Sequence, residues 1–148
     1  MNFFIREMTK TEYPILQDFL YEAIYIPDGV KSPDKTIIKT PELQVYIKDF
    51  GSQVHDKALV AEVNGKIVGC VWVRIMNDYG HIDDKTPSFA ISVLNEYRKQ
   101  SIGTALMSKM LLLLKSLGYK NASLAVQKEN YAVKMYLNLG FKIVQEKE

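Results

Sequence analysis

The sequence predicts a mixed α/β fold in which a mostly antiparallel sheet ends in one parallel strand-helix-strand pair, with about four helices packed around it. Two observations carry this. The β-rich runs 58–63 and 66–76 are joined by Asn64-Gly65, the strongest short-range hairpin signal, because both turn residues must tolerate positive φ. Further on, a leucine-rich helical stretch, 102–117, separates expected strands at 88–93 and 122–126. A helix between two strands makes them parallel neighbours with a right-handed crossover.

The remaining elements follow in chain order. Residues 3–7 read as a short strand. Thr9 and Glu12 have the spacing of a capping box, and Tyr13, Leu16, Leu20, Ala23 and Ile24 then recur at helical intervals, so a first helix is expected to about Tyr25. Ile26-Pro27-Asp28-Gly29 breaks it. Thr40-Pro41 places proline at a first helical position, with Gly51 past the end of a second, shorter helix. Residues 77–87 form a polar connection, and the helix over 102–117 stops at Gly118. A last helix is expected over 130–139, ended by Gly140, and a last strand over 141–144. No repeat or low-complexity tract divides the 148 residues, which read as one domain, 1–148.

Composition narrows the function classes. The chain is 47% hydrophobic and 24% charged, ordinary for a folded globular protein. Its 19 basic and 17 acidic side chains are interspersed and sum to +2, so the electrostatic footprint of a nucleic-acid binder is missing. The single cysteine, Cys70, lies in an apolar run and reads as a small buried hydrophobe. The amino terminus meets charge too early for a signal peptide and no apolar run reaches membrane-spanning length, which predicts a cytoplasmic protein with no membrane partner. His55 and His81 are isolated and there is no Cys/His cluster, so no metal is expected. Met107, Met110, Leu111, Leu114 and Leu117 form a helical stripe expected to pack in the core.

The chemistry concentrates in Tyr97-Arg98-Lys99-Gln100-Ser101-Ile102-Gly103-Thr104, where a strand turns into a helix. The first amides of a helix lack intrahelical partners and carry roughly half a positive charge, so such an end suits an anion. Arg98 adds a charge, and the small residues Ser101, Gly103 and Thr104 let a phosphate approach the backbone. A plain helix start capped by Ser101 is the alternative. The Walker and dinucleotide glycine patterns are absent, since Gly103 stands alone, which argues against a nucleotide-phosphate module.

Arg98-Lys99-Gln100-Ser101-Ile102-Gly103 resembles the diphosphate loop of the GCN5-related N-acetyltransferases (GNAT), (Arg/Gln)-x-x-Gly-x-(Gly/Ala), with Ser101 in place of the first glycine. Asn130, Ala132, Tyr136 and Gly140-Phe141 resemble the family's later motif, in the family's order. The resemblance covers nearly the whole chain and implies the GNAT fold, with the parallel pair splayed around acetyl-CoA. It implies that main-chain groups of Ile91, Ser92 and Val93 bind the pantetheine arm of coenzyme A. The amides around Arg98, Lys99, Gln100, Ser101, Ile102, Gly103 and Thr104 would wrap the diphosphate, and Asn130 would contact the cofactor across the cleft. Tyr136 takes the position of the tyrosine that protonates the departing thiolate. The acceptor wall would be built from 21–28 and 79–84, with Tyr21, Glu22, Tyr25 and Asp83 facing a cationic amine.

The implied activity is acyl-CoA-dependent N-acetyl transfer to a primary amine, on a small molecule or a protein. A non-catalytic acyl-CoA sensor or interaction module is the alternative of another class. The thioester is already activated, so an amine held in line attacks directly in a ternary complex. An amide near Ile91 would steady the oxyanion, Tyr136 would act as general acid, and the proton would leave through water toward Glu22, His81, Asp83 or Asp84. Ser101 is expected at negative φ, where serine costs nothing. Family members usually finish with one more strand than Gln145-Glu146-Lys147-Glu148 leaves room for. Either truncation or a partner then accounts for the unpaired edge, and a homodimer is the hypothesis it supports.

Overall fold

The computed structural model describes residues 2–78, 80–144 and 146. Strands β1 (Phe4–Glu7), β2 (Lys57–Val63), β3 (Lys66–Arg74) and β4 (Ser88–Val93) form one antiparallel sheet in the order β1-β2-β3-β4. Asn64 (φ 50°) and Gly65 (φ 81°) make the turn that the hairpin needs. The β2–β3 register slips once: Ala61 faces Gly69 but Glu62 faces Ile67, leaving Val68 as the extra residue of a bulge. The Val68 carbonyl is not wasted, for it accepts the Leu94 amide at 2.8 Å as the chain leaves β4.

Both faces of the sheet are covered, and the period of two sorts the side chains. Leu59, Ala61, Val63, Val71, Val73, Phe89 and Val93 pack under α3 (Ile102–Ser116), against Ile102, Leu106, Met107, Met110 and Leu114. Ala58, Val60, Cys70 and Trp72 point the other way, onto Leu16, Phe19 and Leu20 of α1 (Leu16–Glu22). Gly69 lets α3 sit close, since a Cβ there would meet Leu106 Cδ1 at 3.1 Å and Val93 Cγ2 at 3.3 Å. Of the expected core stripe, Leu117 is instead 51% exposed, because it lies beyond the last helical turn. Cys70 is fully buried, and burial pushes its thiol up, so it stays a neutral hydrophobe.

Several expected elements are shorter than their sequence signals. The helix expected to Tyr25 begins as a 3-10 segment, Lys10–Ile15, and becomes α-helical only over Leu16–Glu22. Pro14 lies inside that segment and has no N–H to donate to a preceding turn. The second helix is the single turn α2 (Pro41–Gln44) rather than a run to Gly51. Its continuation is diverted, because the Arg74 guanidinium takes the Val45 and Lys48 carbonyls at 3.2 and 2.8 Å. A 3-10 turn at Lys35–Lys39, with the Asp34 side chain accepting the Thr36 amide, was not foreseen.

At the other edge of the sheet, residues 122–126 do not form the expected strand. A single parallel bridge, Ser88 with Ser123, is what remains, closed by Phe89 N to Ser123 O (2.8 Å) and Ser123 N to Pro87 O (2.9 Å). Helix α4 is Ala132–Asn138, and no strand forms over 141–144 among the described residues. Among the described residues no helix is long and apolar enough to cross a membrane.

Candidate active site

Beyond the Ser88–Ser123 bridge the sheet parts, and the parting is what builds a site. Because the Phe89 amide points at Ser123 rather than at β3, strand alternation turns the amides and carbonyls of Ile91 and Val93 the same way, away from β3, where the Val93 carbonyl accepts Arg98 Nε. The side chains of Ala90 and Ser92 face the α1 side by the same rule. Ser92 Oγ is buried there without a hydrogen-bond partner among the described residues.

A short 3-10 turn, Asn95–Tyr97, then delivers the chain to the start of α3. Lys99 (φ 61°) and Ser101 (φ 69°) both adopt left-handed backbone. The expectation of negative φ at Ser101 is therefore overturned: the loop needs the glycine-like conformation, and serine holds it at a cost of about 1 kcal/mol. Alternating hands curl successive amides inward. The first helical bond runs from Ala105 N to Ser101 O at 3.0 Å. Among the described residues the amides of Lys99 through Thr104 meet no protein acceptor, and the Ser101 side chain does not cap them. This is a row of donors at the positive end of a 15-residue helix.

The side chains around the loop are turned elsewhere. Arg98 Nε donates to Val93 O at 2.8 Å and a terminal nitrogen donates to Glu22 O at 3.1 Å. Lys99 Nζ lies 5.8 Å from the centre of the Tyr131 ring, and Gln100 Nε2 donates to Glu96 O. Gly103 lies against Met135, whose sulfur would be 3.8 Å from a Cβ there, so the loop and α4 share a boundary. Asn130 Oδ1 accepts the Ala132 amide at 2.9 Å and starts α4.

Tyr136 stands on α4 with 8% exposure, in the same apolar cluster as Phe89 and Val93. Its ring packs edge-on to Phe141 at 6.2 Å, and Phe141 in turn meets Phe89 at 5.9 Å. Burial, with a smaller contribution from Tyr131, pushes the phenol up to about 12. It is thus a protonated donor throughout the neutral range.

The model of the Acetyltransferase (GNAT) family matches residues 21–141. The chain belongs to the GNAT acetyltransferase family. An N-alpha-acetyltransferase of Sulfurisphaera tokodaii is 33% identical over 94 residues, a match spanning 58% of this GNAT chain and 56% of that relative, or about half its length. Among solved structures, a GCN5-related N-acetyltransferase from Ralstonia eutropha JMP134 superposes with a TM-score of 0.74 at 15% identity, covering 99% of this chain and 97% of that one. AAC(6')-Iy in complex with a CoA-S-monomethyl-acetylneamine bisubstrate analogue gives 0.70 at 17% identity, covering 100% and 96%. These two likenesses speak for the fold: a GNAT fold with an open antiparallel sheet.

In this GNAT chain the acceptor-wall residues are dispersed. Tyr21 OH donates to Pro33 O at 2.6 Å, with Lys35 Nζ 5.9 Å from its ring centre. Tyr25 OH donates to Glu129 O at 3.1 Å, joining the turn after α1 to the turn before α4. Asp83 is exposed, and the Lys85 amide it accepts at 2.8 Å holds its carboxyl below the usual range. His81 Nδ1 is buried and unpartnered among the described residues, and Tyr79 lies outside the described residues.

Sequence reasoning missed the staple that fixes where the strands part. Ser123 Oγ donates to Gly80 O (2.6 Å), Ser88 Oγ lies 3.3 Å from Ser123 Oγ and 3.1 Å from Asp78 Oδ1, and Tyr46 OH reaches Asp78 Oδ2 at 3.1 Å. Gly80 is pressed so near the next segment that a Cβ would meet Ala125 N at 3.1 Å. The partners lie up to 43 residues apart, so no local spacing announces them. Among the described residues no three His, Cys, Asp or Glu side chains gather as a metal would require.

Proposed function

We propose that the chain transfers the acetyl group of acetyl-CoA to a primary amine, on a small molecule or a protein amino group, in a ternary complex. The observation that carries this is the row of unpartnered amides from Lys99 to Thr104, set where β4 parts from residues 122–126 and backed by a protonated Tyr136. The GNAT match and the N-alpha-acetyltransferase relative support acetyl transfer to an amine. Neighbours in fold crystallised with CoA or a CoA bisubstrate analogue support coenzyme A as the carrier.

When bound, acetyl-CoA supplies the acyl group as an activated thioester. In this reading the amides of Lys99, Gln100, Ser101, Ile102, Gly103 and Thr104 hold its diphosphate. The main chain of Ile91 and Val93 on the side away from β3, with Ser92 behind it, holds the pantetheine arm, and the side-chain NH2 of Asn130 faces it from the turn before α4. The Ile91 N–H is the donor placed to steady developing negative charge on the carbonyl oxygen. Tyr136, kept neutral by its apolar surroundings, donates the proton that sulfur needs. Of the expected acceptor wall, Glu22 at the end of α1 and the exposed Asp83 carboxyl are the acidic groups that an ammonium would approach, while the Tyr21 and Tyr25 hydroxyls are held by Pro33 O and Glu129 O. An amine with pKa about 10.4 gives up its proton at neutral pH for about 4.6 kcal/mol, and waters leading to Glu22, His81, Asp83 or Asp84 take it. A cytoplasmic setting and a second copy along the open edge complete the proposal; light scattering that returns a concentration-independent monomer mass rejects the dimer.

The test is an amine panel with acetyl-CoA, following thiol release, beside calorimetry with CoA. Micromolar CoA binding with turnover of at least one amine supports the reading. Absence of CoA binding removes it, and tight binding without transfer to any amine or peptide identifies a sensor instead.

A further inference from the structure

Arg98 was expected to lend its charge to the diphosphate, yet its donors face two carbonyls. Nε reaches Val93 O at 2.8 Å, and the other arm reaches Glu22 O at 3.1 Å, across 76 residues of sequence. Val93 is the last residue of the crevice strand β4, and Glu22 is the last residue of α1. A carbonyl in the final turn of a helix has no intrahelical partner, and a cation there is also favoured by the dipole. Helix α1 is only seven residues long, and residues 23–34 contain no helix or strand. Its end therefore depends on such ties. A second one exists: Tyr25 OH donates to Glu129 O at 3.1 Å, on the turn that leads into α4 and Tyr136.

We propose that Arg98 and Tyr25 are positioning residues that lock the amine side of the crevice, at the end of α1, to its thioester side, so that amine KM depends on them while CoA affinity does not. The inference rests on the acetyl-transfer reading above. Only a planar fork spans both carbonyls; an ammonium on a flexible stem keeps the charge but loses one arm. Arg98→Lys thus separates a bracket from a phosphate clamp.

In the full chain, Arg98→Lys is expected to leave CoA affinity by calorimetry within about threefold of wild type and to raise amine KM about tenfold, the effect of losing one charge-assisted bond. Amide exchange at residues 23–25 should quicken while α3 stays protected. Tyr25→Phe, at a partly exposed site that folding tolerates, should raise amine KM about threefold with CoA affinity unchanged. Wild-type amine KM in either variant overturns the proposal. So does a fall in CoA affinity as large as the rise in KM. Failure of the wild-type chain to bind CoA would be distinguishable, removing the underlying function reading as well.

Discussion

Arg74 and Asp56 form a two-bond ion pair inside the protein, Nε to Oδ1 and a terminal nitrogen to Oδ2, both 3.1 Å, with 3% and 7% of the two residues exposed. Every neighbour is organised around it. Asp56 Oδ2 also accepts the Gly51 and Gln53 amides, Arg74 donates to Val45 O and Lys48 O, and the guanidinium lies 5.5 Å from the centre of the Phe50 ring. Asp56→Ala would leave a buried cation uncompensated and release the loop over 45–56. A loss of about 3–5 kcal/mol is expected, read as a lower urea midpoint.

A second ionic cluster ties β1 to the chain that follows it. Arg6 donates to Glu12 at 2.9 and 2.7 Å and to Glu62 at 2.9 and 2.6 Å, and Glu12 also accepts the Thr9 amide. The bonds from Arg6, then that from Thr9, lower the Glu12 carboxyl from 4.5 to about 2. A carboxyl depressed in the folded state stabilises fully above its unfolded value, and that stabilisation fades as pH falls through the folded one. Thermal melts should therefore lose about 1 kcal/mol between pH 4.5 and 2, and Glu12→Gln should flatten that decline.

Removing the Tyr136 hydroxyl tests the chemistry. Tyr136→Phe keeps the ring against Phe141 and should preserve CoA affinity while lowering kcat about 10²–10³-fold. Because the phenol is held up to about 12, the wild-type rate should show no alkaline fall from this group below about pH 10. Unchanged kcat in the variant would return the general acid to another group.

The left-handed Ser101 gives a prediction of opposite sign. Ser101→Gly relieves strain at φ 69° and should raise stability by about 0.5 kcal/mol without weakening CoA binding. Ser101→Val should cost more than about 1 kcal/mol, since a branched side chain resists this backbone. Equilibrium unfolding of the pair measures both.

What could be read in advance divides by distance along the chain. The Asn64-Gly65 turn, the strands it joins, α3 and its stop at Gly118 were legible, because propensity, periodicity and glycine act within a few residues. Residues 122–126 pair only at Ser123, where Gly80, Asp78 and Ser88 reach in from elsewhere. The second helix failed for the same cause, with Arg74 drawing off its carbonyls. At the proposed site, the motif singled out the loop before α3 and Tyr136 on α4. The hand of Ser101 and the targets of Arg98 were hidden, being properties of folded geometry rather than of residue type.

What Ile91 and Val93 offer to the proposed site is main chain, and this has a consequence for how the protein tolerates change. Side chains at these positions answer to the apolar layer under α3, whereas the groups exposed to a guest belong to every residue alike. Natural drift can swap aliphatics there without altering what the crevice offers. Proline alone would erase the Ile91 donor, so its exclusion from that position, rather than the retention of any particular side chain, is the signature to seek among relatives.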